Sequence, residues 1–294
     1  MPPVIAATCL TLASALSGAE PGAVIRLTPP KTPCPFVELS GFRSGGAPVV
    51  IDAGETVFAA GLRMREVDGI TIRGGEFHSI GGKTPYALHV RLSSRVRVEG
   101  SRFTNSLRGL VVGKSQDIAI VDNRFFDLIA EGVNLAGVER FEVRGNDVRD
   151  FSPRPSQCTA PDGSIETQVP KKACEARGGT WKDGHHPDCV QFWGGTRDGH
   201  VVGNRCTGQM QGIFGPADQV LVENNIVEVT FPNAIRLGGT GNRIRNNVVK
   251  AAPGARFAPR ITLRGEGNFA CGNIVTTGKS PEATRPCTAA EKAG

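Results

Sequence analysis

A ten-residue pattern recurs eight times along this chain, and it limits the available folds more than any other feature. The segments are "DGITIRGGEF" (68–77), "SRVRVEGSRF" (94–103), "QDIAIVDNRF" (116–125), "ERFEVRGNDV" (139–148), "RDGHVVGNRC" (197–206), "DQVLVENNIV" (218–227), "TGNRIRNNVV" (240–249) and "EGNFACGNIV" (266–275). Each reads as a strand with alternating apolar positions, a tight corner, then a further apolar pair. The corner residues Gly75, Ser101, Asn123, Asn146, Asn204, Asn225, Asn247 and Asn273 fall 21 to 26 positions apart, except across the step from Asn146 to Asn204, which carries an insertion. Self-similarity at this period is the mark of a solenoid, in which each repeat buries its apolar face only against its neighbours. Fixed-offset leucines and 3.6-residue faces are absent, so the repeats are strands. Asparagine suits the corners because it tolerates left-handed backbone and can bond to its own kind from coil to coil.

A second set of strands follows the corners: "YALHVR" (86–91), "RGLVVG" (108–113), "EGVNLA" (131–136), "DCVQFW" (188–193), "QGIFGP" (211–216) and "NAIRLG" (233–238). Their third and fifth members are apolar and are expected to point inward. The fourth members (His89, Val111, Asn134, Gln191, Phe214, Arg236) alternate with these and point outward. The first members (Tyr86, Arg108, Glu131, Asp188, Gln211, Asn233) sit at the entering bend; most are strongly polar and are expected to face water. This arrangement resembles the right-handed parallel β-helix of the pectate-lyase-like superfamily, over roughly residues 20 to 278. The expected fold class is therefore all-β: a right-handed parallel β-helix (solenoid) with a short N-terminal capping helix. One domain over 1–294 is expected, with the cap helix in 9–19, coils over 20–278, an inserted disulfide-bearing loop at 152–187 and a polar tail at 279–294. The helix would plug an open coil edge that otherwise invites aggregation.

Composition narrows the setting. The net charge of +6 favours anionic partners. Recognition-helix, finger and RNP-like motifs are missing, which argues against nucleic acid. The chain shows no apolar run of bilayer-crossing length, so no membrane span is expected. Its first residues lack a basic stretch followed by a long apolar core and do not read as an intact signal peptide. Eight cysteines, an even number, suit a secreted or periplasmic protein with disulfides. Spacing does not fix connectivity, but position suggests Cys158 with Cys174 inside the insertion, Cys271 (in an outward column) with Cys287 in the tail, and Cys9 with Cys34 at the cap. Cys206 shares an apolar column with Phe77, Phe103 and Phe125, and Cys189 a column of glycine and alanine; both read as buried thiols filling space. With neither CxxC nor HxxxH, a zinc site of usual spacing is not expected.

Chemistry concentrates at "KDGHHPDCVQFWGG" (182–195). It holds two of the five histidines and one of the two tryptophans. Coils stack about 4.8 Å apart, so Arg108, Glu131, Asp188 and Gln211 should form one outward row, with Asn134, Gln191 and Arg236 in the next. The insertion departs just before this strand: 43 positions separate Asn146 from Cys189, against nine between Asn123 and Gly132. Such a loop can wall a groove and supply cations and an aromatic platform. Glu131 and Asp188 on adjacent coils would repel, so one is protonated, a cation such as calcium lies between them, or Arg108 neutralises one.

Asp188-Cys189 is similar to the last two residues of the "DDC" element of polygalacturonases, with Pro187 in place of the preceding aspartate and Glu131 in place of the "NTD" element. "HHPD" (185–188) resembles a reordered "DPH" element of mannuronan C5-epimerases, and Arg236 resembles the basic residue near the abstracted proton in lyases of the superfamily. The expected substrate is an acidic, uronic-acid polysaccharide. The expected reaction is C5 proton abstraction by His186 or His185, leading to β-elimination or epimerisation. Arg236 and Arg108 would hold the carboxylate; Asp188 and Glu131 would orient the histidine or bind the cation. Gln191, Asn134 and Gln211 would bond hydroxyls, and Trp181 or Trp193 would stack on a ring, beside Lys182. Two other readings stand alongside: an inverting glycoside hydrolase using Asp188 and Glu131, and a glycan-binding protein without turnover.

Overall fold

The structure is a computed structural model and describes residues 2–79, 85–276 and 281–293. The strands that open each repeat stack in parallel. Val96, Ile118, Phe141, Gly199 and Val220 stand in one column on five successive coils. The short second strands stack beside them, Phe103 on Phe125 on Val148 on Cys206 on Val227. The third face is a separate sheet of nine strands among the described residues, running from Val37–Ser40 to Arg260–Leu263. The chain is a right-handed parallel β-helix with very few helical residues.

The core is the tube these faces enclose. The third members of the nine-stranded sheet (Leu88, Leu110, Val133, Val190, Ile213, Ile235) are all buried. Phe58, Phe77, Phe103 and Phe125 stack with centroids 4.8, 5.2 and 4.6 Å apart, matching the coil spacing. The column of small residues answers these rings. A Cβ on Gly109 would lie 2.7 Å from the Phe125 ring and 2.6 Å from the Gly132 carbonyl oxygen, so a larger residue is excluded there.

Cys189 and Cys206 correct the expectation of two separate thiols: they are joined by a disulfide across the core. The small-residue column and the aromatic column face each other, and where both hold cysteine a bond closes between them. The other pairs are Cys9–Cys34, Cys158–Cys174 and Cys271–Cys287. Cys271 stands in the outward column of Arg245 and Glu223, as expected, and is buried there because the tail folds over it.

The corner asparagines form a buried ladder. Each Oδ1 accepts from the backbone N–H of the preceding rung, at 3.0 Å for Asn123 to Asn146, 3.0 Å for Asn146 to Asn204, 2.8 Å for Asn204 to Asn225 and 3.0 Å for Asn225 to Asn247. Their Nδ2 groups donate along the same line. The left-handed backbone falls one position earlier than the sequence suggested, on Asp122, Gly145, Gly203, Asn224 and Asn246, which leaves the ladder residue free to point inward. Replacing Asn225 with alanine strips the Asn204 N–H of its acceptor inside the protein. A loss of about 2 kcal/mol in urea-unfolding free energy is expected; an unchanged midpoint would mean that water satisfies the ladder instead.

The ends depart from expectation. A strand, Val4–Ala7, precedes the cap helix and pairs with Val24–Leu27; the helix itself spans Leu12–Ser17 and buries Leu12 and Leu16 over the first coil. The tail folds back on the last coil, pinned by Cys271–Cys287. Pro281–Ala283 pairs antiparallel with Ile274–Thr276, and the Thr284 hydroxyl accepts from the Asn273 N–H at 2.9 Å, terminating the ladder. Residues 277–280, where the coils were expected to give way to the tail, lie outside the described residues. The insertion is a small module of its own. It has three antiparallel strands (Gln157–Thr159, Ile165–Thr167, Thr180–Lys182), a helix (Lys171–Ala176) and the Cys158–Cys174 bridge.

Candidate active site

The first members of the nine-stranded sheet do form a row, buried in its middle at Glu131, Asp188 and Gln211 and half-buried at Tyr86, Arg108 and Asn233. Asp188 is 1 % and Glu131 6 % exposed, and Asn134, Gln191 and Gln211 are buried as well. The expectation that these side chains face water is therefore corrected. They point away from the apolar core, and hydrogen bonds among themselves replace those to solvent. The Asp188 carboxylate accepts from Gln191 Nε2 at 2.7 Å and from Gln211 Nε2 at 3.0 Å. Gln191 Oε1 in turn accepts from Asn134 Nδ2 at 2.6 Å, and Gln211 Oε1 from Asn233 Nδ2 at 2.5 Å. The result is one amide chain crossing four coils with a single carboxyl at its centre.

Burial and the Glu131 charge push the Asp188 carboxyl up to about 8, the Gln211 hydrogen bond opposing them. Burial and the neighbouring charge thus favour the protonated acid, while the two amide donors favour the carboxylate. Glu131 is paired with half-buried Arg108, whose guanidinium also lies over the Tyr86 ring. The expectation of a calcium ion between the two acids does not fit these donors. Both Asp188 oxygens already accept from amide nitrogens and Glu131 is taken by a guanidinium, whereas calcium needs six to eight oxygen ligands. Among the described residues no group of three or more acidic, histidine or cysteine side chains stands where it could hold a metal.

The open space lies beside this row. A cleft of about 1240 Å³ runs between the insertion and the corner loops that follow Asp147–Arg149, Arg205–Gly208, Ile226–Val229 and Val248–Ala251. The insertion contributes Arg154, Trp181, His185 and His186; the corners contribute Glu228, Phe231, Arg256 and Phe257. The insertion returns to the scaffold through "GHHP", and the His185 backbone N–H donates to the Arg154 carbonyl at 2.9 Å. This contact holds His185 at the junction of cleft and row. Its imidazole is pulled below the usual histidine range, first by burial and then by the Arg154 charge; Glu131 opposes this, and Arg108 and Lys182 add to it. His185 is therefore a neutral base at neutral pH, and its Nδ1 is buried without a hydrogen-bond partner. His186 is exposed and lies edge-on to Phe231, with ring centroids 6.2 Å apart.

The structure thus brings together His185, Glu131, Arg108 and Asp188. It leaves others apart. Arg236 is two coils from Gln191, with Phe214 between them in register, and its guanidinium sits 5.4 Å from the Phe214 ring centre. Trp193 is exposed at the far end of the Asp188 strand and does not line the cleft. Trp181 lines the cleft, but its Nε1 donates to the Val169 carbonyl and Lys171 lies over its ring. Lys182 is exposed on the insertion. Sequence reasoning missed Arg154, Phe231, Arg256 and Phe257. A signal for the last two existed: the 26-residue step from Asn247 to Asn273, against 21 and 22 for the two before it, marks a longer corner carrying "PGARFAP".

Residues 45–159 match the family described as "Right handed beta helix region". No curated protein matches the sequence. Among solved structures, ORF18 of Geobacillus virus E2 is 11 % identical with a TM-score of 0.45, over 90 % of this chain and 57 % of that one; the chain thus spans little more than half of that protein. DFA-IIIase from Arthrobacter chlorophenolicus A6, solved without its lid, is 12 % identical with a TM-score of 0.43, over 87 % of this chain and 80 % of that one. PfbA, a surface adhesin of Streptococcus pneumoniae, is 10 % identical with a TM-score of 0.39, over 93 % and 90 %.

Proposed function

We propose that this β-helix is an exported carbohydrate-active enzyme that takes an acidic polysaccharide into the cleft and removes the C5 proton of a uronate unit with His185. The observation that carries this reading is the environment of His185: a neutral imidazole on the wall of an open cleft, with guanidinium groups close enough to depress it. A base for this step must be unprotonated, and a cation must offset the uronate carboxylate so that charge can build on C5. His185 supplies the first, Arg154 the second. The abstracted proton goes to the imidazole and the C5 electron pair forms the C4–C5 double bond. The C4–oxygen bond breaks, and the departing oxygen takes a proton from water. Return of a proton to the opposite face of C5 would instead give the epimer. Aromatic rings of the cleft, Phe231 and Phe257, suit the apolar faces of a pyranose. Four disulfides and a basic surface fit an oxidising compartment and an anionic substrate; no helix among the described residues is long and apolar enough to cross a membrane.

Incubation with alginate, pectate, glucuronan and glycosaminoglycans, followed in the ultraviolet, should show the absorbance of an unsaturated uronate on one of them. EDTA should leave the rate unchanged, since the cation in this step is the Arg154 guanidinium rather than a metal ion. Flat absorbance on all four, with no change in epimer content by NMR, would end the reading. The raised Asp188 carboxyl supports a second reading, glycoside hydrolysis with Asp188 as the acid. That reading requires the foot of the insertion to lift, and it produces reducing ends without the absorbance.

A further inference from the structure

The cleft leaves unexplained a patch at the other end of the same strands. Asp188 and Trp193 are the two ends of one strand, about 16 Å apart by strand rise. Trp193 is 52 % exposed, the largest apolar side chain so placed among the described residues. Residues on one face of a strand alternate, so Trp193 shares its face with Gln191. The next coil places Phe214 beside Gln191 and Pro216 two residues on; the coil after adds Arg236 beside Phe214 and Gly238 beside Pro216. Trp193, Phe214 and Pro216 therefore tile one outward surface, with the Arg236 guanidinium laid over Phe214 at its edge.

Two observations set this tile apart from ordinary exposed residues. First, the tile is bordered by glycines. Gly194 and Gly195 hold the positive-φ backbone of the turn that follows Trp193, and two coils on a Cβ on Gly238 would come only to 3.8 Å of Pro216. The turn therefore carries no side chain beside the indole. Second, the patch carries uncompensated charge. Arg236 and, one coil further on, Arg264, whose backbone N–H donates to the Leu237 carbonyl at 3.0 Å, have no carboxylate partner among the described residues, although most arginines of the long sheet are paired in ion pairs from coil to coil or along their own strand. An apolar tile bordered by unpaired guanidiniums suits a ligand with a flat apolar face and an anionic substituent.

We infer that this tile is a second saccharide site, separate from the cleft, which holds a short uronate stretch of the same polymer along the coils, Trp193 stacking on one pyranose face and Arg236 and Arg264 taking carboxylates. The choice of polymer rests on the reading given under Proposed function; the binding itself does not depend on turnover. The site would anchor a long chain while a distant segment occupies the cleft, adding avidity through one tether. Polymers should therefore gain from it and short oligosaccharides should not.

The test is a titration of the full chain with size-defined oligouronates, followed by tryptophan fluorescence. Only two tryptophans are present, so Trp181→Phe leaves Trp193 as the sole reporter. The signal should saturate with an oligouronate and should persist when His185→Ala is added. Trp193→Ala and Arg236→Gln, checked for wild-type melting temperatures, should each weaken affinity for the polymer about tenfold. They should raise KM on polymer and leave kcat, and KM on a trisaccharide, unchanged. Wild-type affinity in both variants would overturn the proposal. So would equal affinity for a neutral glucan, or a Trp193-dependent dimer by sedimentation. If no uronan is turned over but the Trp193 signal saturates, the cleft chemistry fails and the tile stands; if turnover occurs with a silent Trp193, the reverse holds.

Discussion

His185→Ala should lower kcat on the responsive uronan by roughly 100- to 10,000-fold, the span for removing a positioned general base, with little change in melting temperature. The side chain contributes no hydrogen bond through Nδ1 to the fold, and its backbone link to Arg154 survives the substitution. His186→Ala, which removes an exposed ring packed edge-on against Phe231, should cost far less. The pH profile separates a base from a structural residue. Burial and Arg154 hold the His185 imidazole below its ordinary range, so the neutral, active form persists to lower pH than for a free histidine. The acid limb of kcat/KM should accordingly lie below about 6.5, rising with pH. Arg154→Ala removes one depressing charge and should move that limb upward. A profile that ignores Arg154, or a His185→Ala variant of near wild-type rate, would remove His185 from the reaction.

Asp188→Asn should stabilise the protein at neutral and alkaline pH. The folded state holds the Asp188 proton up to about 8, while the unfolded chain releases it near 3.8. Between these values the folded state binds more protons than the unfolded one, so stability falls as pH rises through the window and levels off above it. At neutral pH this penalty is on the order of 4 kcal/mol. The amide is nearly isosteric and carries no proton to lose, although Gln211 and Asn233 must turn over to receive its N–H. Urea-unfolding free energies should therefore converge for the two proteins near pH 4 and diverge in favour of the variant toward pH 9. A variant less stable than wild type at every pH would mean that Asp188 is charged in the fold and that its two amide donors stabilise the carboxylate. Keeping an acid at a position where an amide would be steadier is a sign of use, because a destabilising buried group persists where its proton matters.

The solenoid was legible because its repeats state the same instruction many times. Asn123, Asn146, Asn204, Asn225 and Asn247 recur at coil spacing, and the structure bonds each to the next. Alternation in "RGLVVG" and "NAIRLG" likewise identified inward residues correctly. What single columns cannot report is what lies above them. Polar residues outside a core usually reach water, yet Asp188, Gln191 and Gln211 are buried. Whether an outward residue reaches solvent depends on the insertion and on mutual hydrogen bonding, neither of which has a period. The Cys189–Cys206 bond was hidden for a related reason. Each cysteine suited its own column, and only the width of the tube shows that the two columns meet. The Phe257 corner left a trace in repeat length, whereas Arg154 left none.

The asparagine ladder runs from Asn146 to Asn204 without a break, though 58 residues separate them in sequence. Residues 152–187 therefore depart and return at a single level of the stack, and the tube closes as it would without them. The scaffold and its wall can consequently be varied by different rules. Substitutions in the insertion can reshape the cleft for another polymer without passing through an unstable tube, and a foreign loop with matching ends could be grafted there while the Asp188 row and the outlying tryptophan stay where they are.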